Sequence, residues 1–200
     1  VTLTVAAGEP WDDVVSHAVG QDWVGIEALS GIPGSAGATP IQNVGAYGQE
    51  VSQTIAQVRT FDRQDKVIKT FAAADCDFGY RSSMFRHNDR WLVLDVTFQL
   101  ALGTMSTPVA YAELAQALSI EVGQRAPLAD VRSAVLDLRQ SKSMVINATD
   151  PDAQSAGSFF TNPHLTAEQA ANLPSAAPRW PASQGQIKTS AAWLIEQAGF

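Results

Sequence analysis

Glycines at 31, 34 and 37, with Ser35 and Thr39 among them, open the segment of this chain whose residue types best suit chemistry. Small residues let backbone N–H groups come close to an anionic ligand and form a concave nest for phosphate oxygens. The spacing is neither a P-loop, since no Gly-Lys-Ser/Thr follows, nor the Gly-x-Gly-x-x-Gly fingerprint. Taken alone, a long structural loop explains it equally well. Gln42, Asn43 and Tyr47 then add amide and aromatic groups suited to the polar edge and the face of a planar heterocycle. Arg81 offers a permanently charged planar fork that matches a carboxylate, although an arginine in such a setting is more often part of a structural ion pair. Ser158 stands between Gly157 and Phe159 and by itself reads as an ordinary strand serine. Arg139 and Lys142, three residues apart at the end of a helical pattern, would gather positive charge where it also suits the helix dipole.

Other chemistries find less support. His17, His87 and His164 are far apart and form no metal spacing, so no metal site is expected. Cys76 has no partner cysteine, which suits a reducing compartment, and its two flanking aspartates would raise its pKa and disfavour a thiolate. No Gly-x-Ser-x-Gly elbow is present. The 200 residues carry a formal charge of −7, which repels nucleic acid and anionic membranes as general partners. No apolar run is long enough for a membrane span, and Val1–Val5 lacks the basic start and long apolar stretch of a signal peptide. With 46% apolar and 16% charged residues the composition is globular.

The elements that must position these groups read as mixed β and α. Residues 2–6 form a β-rich start, and 10–18 read as a helix with Val14, Val15 and Ala18 on one side. The five glycines and two prolines of 31–48 forbid a long regular element there. Strands are expected at 54–62, 66–72 and 91–100. Residues 103–108 are the best candidate linker. Helices are expected at 111–118, 127–140 and 189–198, a strand at 157–161, and a capping box at Thr166 and Gln169 opening a short helix.

The run Ile32-Pro-Gly-Ser-Ala-Gly-Ala-Thr-Pro-Ile-Gln-Asn-Val-Gly-Ala-Tyr-Gly48 closely resembles the flavin-binding signature of the UDP-N-acetylenolpyruvoylglucosamine reductase (MurB) family. Segments 80–86, 157–163 and 188–199 follow in that family's order, so the resemblance covers essentially the whole chain. It implies an α+β protein: an FAD-binding domain of the vanillyl-alcohol-oxidase (PCMH) type at 1–104, then a smaller α+β substrate-binding domain at 105–200. The family's earlier Gly-Gly-Gly-Ser-Asn-like run and its late catalytic glutamate have no counterpart in these residues, so the chain is expected to be the middle of the enzyme. Glu196 is not taken as that glutamate, because its setting reads as an exposed helix position.

The resemblance further implies non-covalent FAD, held by Ile32, Pro33, Gly34, Ser35, Gly37, Ala38, Ile41, Gln42, Asn43, Gly45 and Tyr47. It implies NADPH as reductant and the enolpyruvyl ether of UDP-N-acetylglucosamine as substrate, reduced to UDP-N-acetylmuramate for peptidoglycan synthesis in the bacterial cytoplasm, by a monomer. Arg81 falls on the family's catalytic arginine and Ser158 on its proton donor. Tyr80, Arg81, Tyr111, Arg139, Lys142, Ser158, Asn162 and Lys188 would meet the substrate. Two alternatives stay open at this point: another flavoprotein oxidase on the same fold, and a fragment that binds nucleotide-sugar without catalysis.

Overall fold

The computed structural model describes residues 1–153, 158–182 and 185–199. Its main sheet is built by alternation. In β1 (Thr2–Ala6) Val5 points inward, and in β7 (Trp91–Gln99) Val93 and Phe98 are buried while Leu92 and Gln99 are exposed. Two further strands, β5 (Ile55–Asp62) and β6 (Val67–Ala72), complete an antiparallel sheet in the order β1-β7-β5-β6. The register of β5 on β7 shifts between Ile55 and Gln57 and again between Arg59 and Thr60. Those bulges are why the alternation in this stretch is only approximate.

One face of the sheet is covered by α1 (Trp11–Gly20), whose buried residues Trp11, Val14, Val15 and Ala18 recur at helical spacing. They join Ile26, Leu29, Val58, Val96 and Phe98 in the principal core, where the Trp11 and Phe98 rings lie 5.6 Å apart. The indole N–H of Trp11 donates to the Leu29 carbonyl at 3.1 Å, which satisfies the polar atom of a nearly inaccessible side chain. Short paired strands follow: β2 (Trp23–Val24), β3 (Gly45–Ala46), β4 (Gln49–Glu50) and, after β7, β8 (Ala101–Leu102). Strand β2 pairs with β8, and β3 with β4.

The helices α2 (Ala112–Ala117) and α3 (Leu128–Gln140) build a second cluster from Leu114, Ala115, Val131 and Val135 with Ala28 and Val109. The expected linker 103–108 is a tied segment. Ser106 is buried, its amide donates to Ala126 O at 2.8 Å, and the Thr107 amide donates to the fully buried Glu27 carboxylate at 2.8 Å. Compactness therefore divides the chain at 155/156, with 1–155 as one unit and 156–200 as the other.

The smaller unit holds β9 (His164–Leu165), α4 (Ala167–Ala171), β10 (Trp180–Pro181), β11 (Ile187–Lys188) and α5 (Ala191–Gln197). Its strands pair antiparallel in the order β10-β11-β9. Thr166 and Gln169 form the expected capping box. No strand runs through 158–161; the first strand of this unit is β9, three residues later. Instead of packing into a core, Phe159 and Phe160 meet edge to face at 5.0 Å while 91% and 59% exposed, so no apolar face is there for a strand to bury.

Candidate functional site

Three glycines of the 31–48 loop do different work. Gly34 (φ +116°) is exposed, and a Cβ there would meet no atom within 4 Å, while its carbonyl accepts from the Trp11 amide at 2.9 Å. Gly37 is buried, and a Cβ would lie 2.4 Å from the Ala7 Cβ and 2.9 Å from its Cα. Only glycine permits that approach, which lets the Gly37 amide donate to Ala7 O at 2.9 Å and the Ala36 amide to Glu9 O at 2.8 Å. The loop is thus fastened to the end of β1. Its Gly31 end is fastened to α1, where the Asp12 carboxylate accepts from the Gly31 amide at 2.6 Å and from both terminal nitrogens of Arg132 at 2.7 and 2.8 Å. Burial works against the Asp12 charge, but Arg132 and the Gly31 amide outweigh it and hold the carboxyl below its ordinary pKa.

The second half of the loop meets Arg81. Residues 79–82 make a tight turn closed by Gly79 and Ser82 bonding each other at 3.0 and 3.2 Å, with Arg81 in the left-handed region at φ +51°. Its guanidinium donates to Asn43 O at 3.3 Å, Gly45 O at 2.5 Å and Glu50 Oε1 at 3.1 Å. Asn43 (φ +45°) is itself engaged: its amide nitrogen donates to Glu50 Oε2 and Gly79 O, each at 2.9 Å, and its oxygen accepts from the Ser52 amide. A Cβ on Gly45 would lie 2.7 Å from the Gln49 carbonyl oxygen and 2.8 Å from both Arg81 Nη1 and Glu50 Cγ, so the facing strand and the ion pair together leave room only for glycine.

Other expected site residues collect on the α2–α3 side of the larger unit. The Tyr47 and Tyr111 rings pack edge to face at 5.7 Å, and Lys142 Nζ donates to Glu113 at 2.6 Å. Burial opposes the Lys142 charge, but Glu113, Tyr47 and Tyr111 together raise its pKa. Burial raises the Tyr47 pKa against the pull of Lys142 and Arg139. Arg139 is buried and spends its donors inward, on Gly31 O at 3.2 Å and Met144 O at 3.0 Å.

In the smaller unit, the Asn162 side chain caps α5 by accepting from the Ala191 amide at 3.0 Å, and Lys188 Nζ lies 5.8 Å from the Trp180 ring centroid. Ser158 is exposed; Gly157 before it lies outside the described residues. Tyr80 lies 5.0 Å beneath the Arg81 guanidinium. Glu196 is exposed on α5. Burial pushes the Cys76 thiol up to about 11, with Asp75 adding to it. Among the described residues no group of three or more His, Cys, Asp or Glu could hold a metal ion, and no helix is long and apolar enough to cross a membrane.

Residues 1–70 match the FAD binding domain family. The chain is 55% identical over its whole length to UDP-N-acetylenolpyruvoylglucosamine reductase of Salinispora arenicola, covering 57% of that protein. It is 57% identical over 99% of its length to the enzyme of the same name from Cutibacterium acnes, covering 52% of it. Along its whole length the chain is thus similar to UDP-N-acetylenolpyruvoylglucosamine reductases. Its fold matches the crystal structure of the Thermus caldophilus reductase (MurB) with a TM-score of 0.56 at 20% identity, over 98% of this chain and 53% of that one. The fold is α+β with an FAD-binding domain of the PCMH type. The chain spans about half the length of the relatives it matches.

Against that family frame, the loop's residues fit an FAD. Gly34 is open on its Cβ side, and Ala38, Ile41 and Gln42 further along the loop are exposed. Gly37 and Asn43 shape the loop from within. Glu27, Glu50, Asp12 and Arg132 did not stand out in the sequence. A lone glutamate in the otherwise apolar run 24–29 was the signal available for Glu27; Glu50 carried none beyond its closeness to the loop.

Proposed function

We propose that this chain is part of a reductase that converts the enolpyruvyl ether of UDP-N-acetylglucosamine to UDP-N-acetylmuramate with NADPH, in the bacterial cytoplasm and as a monomer. The observation that carries the reading is the 55% identity to a named reductase along the whole chain, glycine loop included. FAD would be held without a covalent bond by the exposed backbone and side chains around Gly34, Ile41 and Gln42, and when bound it supplies the hydride that the vinyl carbon receives. Domain roles would follow the division at 104/105, with the cofactor contacts before it and the substrate contacts after it, apart from Tyr80 and Arg81, which would reach the substrate from the cofactor side.

Hydride addition leaves negative charge that spreads from carbon into the substrate carboxylate. Arg81 would stabilise it, since a guanidinium carries five N–H donors and its three bonds in the fold do not exhaust them. Ser158, an exposed hydroxyl, would give the carbon its proton; a serine is a weak acid, but that carbon is strongly basic at this stage. Lys142 and Lys188 would meet the diphosphate, and Tyr80, Tyr111, Arg139 and Asn162 would shape the sugar-nucleotide site. These local cations offset the repulsion expected from a net charge of −7.

The test separates the two half-reactions in a protein that spans the relatives' full length and carries these residues. With Ser158→Ala, NADPH should still bleach the flavin at near wild-type rate. Reoxidation by the enolpyruvyl substrate should fall roughly 10²–10⁴-fold. Unchanged reoxidation removes Ser158 from the mechanism, and failure to reduce any UDP-sugar enol ether overturns the reading.

A further inference from the structure

We infer that Glu50 is a positioning residue for Arg81, the bracket that sets the guanidinium in its working orientation and ties it to the cofactor loop. The inference rests on the reading of Arg81 as the partner of the substrate carboxylate. The Glu50 carboxylate divides its two oxygens: Oε1 accepts from Arg81 Nη1 at 3.1 Å, and Oε2 accepts from Asn43 Nδ2 at 2.9 Å. Its side chain also accepts from the Gln53 amide while Gln53 returns a bond to the Glu50 amide at 3.2 Å, so the glutamate is itself locked by a capping box.

Arg81 needs such a bracket. It stands in the left-handed region, at a turn corner where backbone conformation alone is unfavourable for a side chain with a Cβ. Two of its other acceptors, Asn43 O and Gly45 O, are carbonyls of the cofactor loop. A carbonyl fixes a donor by direction; the carboxylate adds charge and holds the plane of the fork. Gly45 lies against the pair as well as against strand β4, since a Cβ there would come within 2.8 Å of Arg81 Nη1 and Glu50 Cγ and within 2.7 Å of the Gln49 carbonyl oxygen. With about a quarter of the Arg81 and a third of the Glu50 side chain exposed, the pair is neither sealed in the core nor a loose surface contact. An orientation error near one ångström at a charge-stabilising group is enough to cost a large factor in rate.

The experiment compares Glu50→Gln, Glu50→Asp and Arg81→Lys in the flavin-loaded, full-length protein, following flavin reduction by NADPH and reoxidation by the enolpyruvyl substrate separately. Glutamine has glutamate's shape but faces Arg81 with an uncharged group. Glu50→Gln should retain flavin, reduce within about twofold of wild type and reoxidise between about 10- and 100-fold more slowly. Glu50→Asp should recover part of that loss. Wild-type reoxidation in Glu50→Gln while Arg81→Lys is slow overturns the role of Glu50 alone. Loss of flavin, or an equal fall in both half-reactions, overturns it as well, because the residue would then be structural. Wild-type reoxidation in Arg81→Lys overturns the reading of Arg81, and the inference with it.

Discussion

Single side chains in this protein divide into those the fold consumes and those it leaves facing outward. Arg139 and Asn43 belong to the first kind, with their donors bonded to loop carbonyls and to Glu50. Lys142 belongs to the second: its ammonium group is partly exposed and pairs with the surface carboxylate of Glu113. Replacing Lys142 with methionine should raise the KM for the UDP-sugar about 10-fold, the worth of one charge-assisted contact, and leave flavin reduction by NADPH unchanged. Steady-state kinetics with each substrate varied in turn checks this. Cys76 is inaccessible and its pKa stands near 11, so almost none of it is thiolate at pH 8. A disulfide reagent should react with it slowly in the native protein and quickly in guanidinium chloride; fast native labelling would contradict the burial.

Elements are held together by a few contacts between loops and regular structure. The fastening of the glycine loop to β1 depends on Gly37, and Gly37→Ala should cost about 2 kcal/mol, because the added methyl meets Ala7 backbone with no flexible side chain to yield. Urea unfolding measures it. The fastening of the same loop to α1 and α3 runs through Asp12, whose pKa is lowered below 3.8 in the folded state. A carboxyl depressed by folding adds stability that is fully present above its unfolded pKa and is lost as pH falls through the folded value. The stability difference between wild type and Asp12→Asn should therefore be constant above about pH 5 and shrink below about pH 3.8. Melts across pH 2.5–7 test the sign.

At the scale of the molecule, the two compact units differ in what they can bury. The larger spans 155 residues with two apolar clusters; the smaller spans 45 and contains no cysteine. Chains near 40 residues seldom bury enough surface to fold without disulfides or metals. Residues 1–155 expressed alone should melt cooperatively by circular dichroism, and 156–200 alone should not; a cooperative melt of the smaller piece would refute this. The sequence by itself determined the longer elements and the likeness to the reductases. Period-3.6 and period-2 patterns place α1, α3, β5 and β7 within a residue or two, and the Ile32–Gly48 run is long and specific enough to name the relatives. Periodicity reports which side of an element is buried, and a motif reports residue type, but neither reports what meets what across 30 or 100 residues. Glu50 beside Arg81, Asp12 beside Arg132, Gly37 against Ala7 and Thr107 on Glu27 are pairings between segments distant in the chain. Only the tertiary structure decided them, because close packing of the loop against the sheet and α3 selects the partners, and local sequence carries no record of that selection.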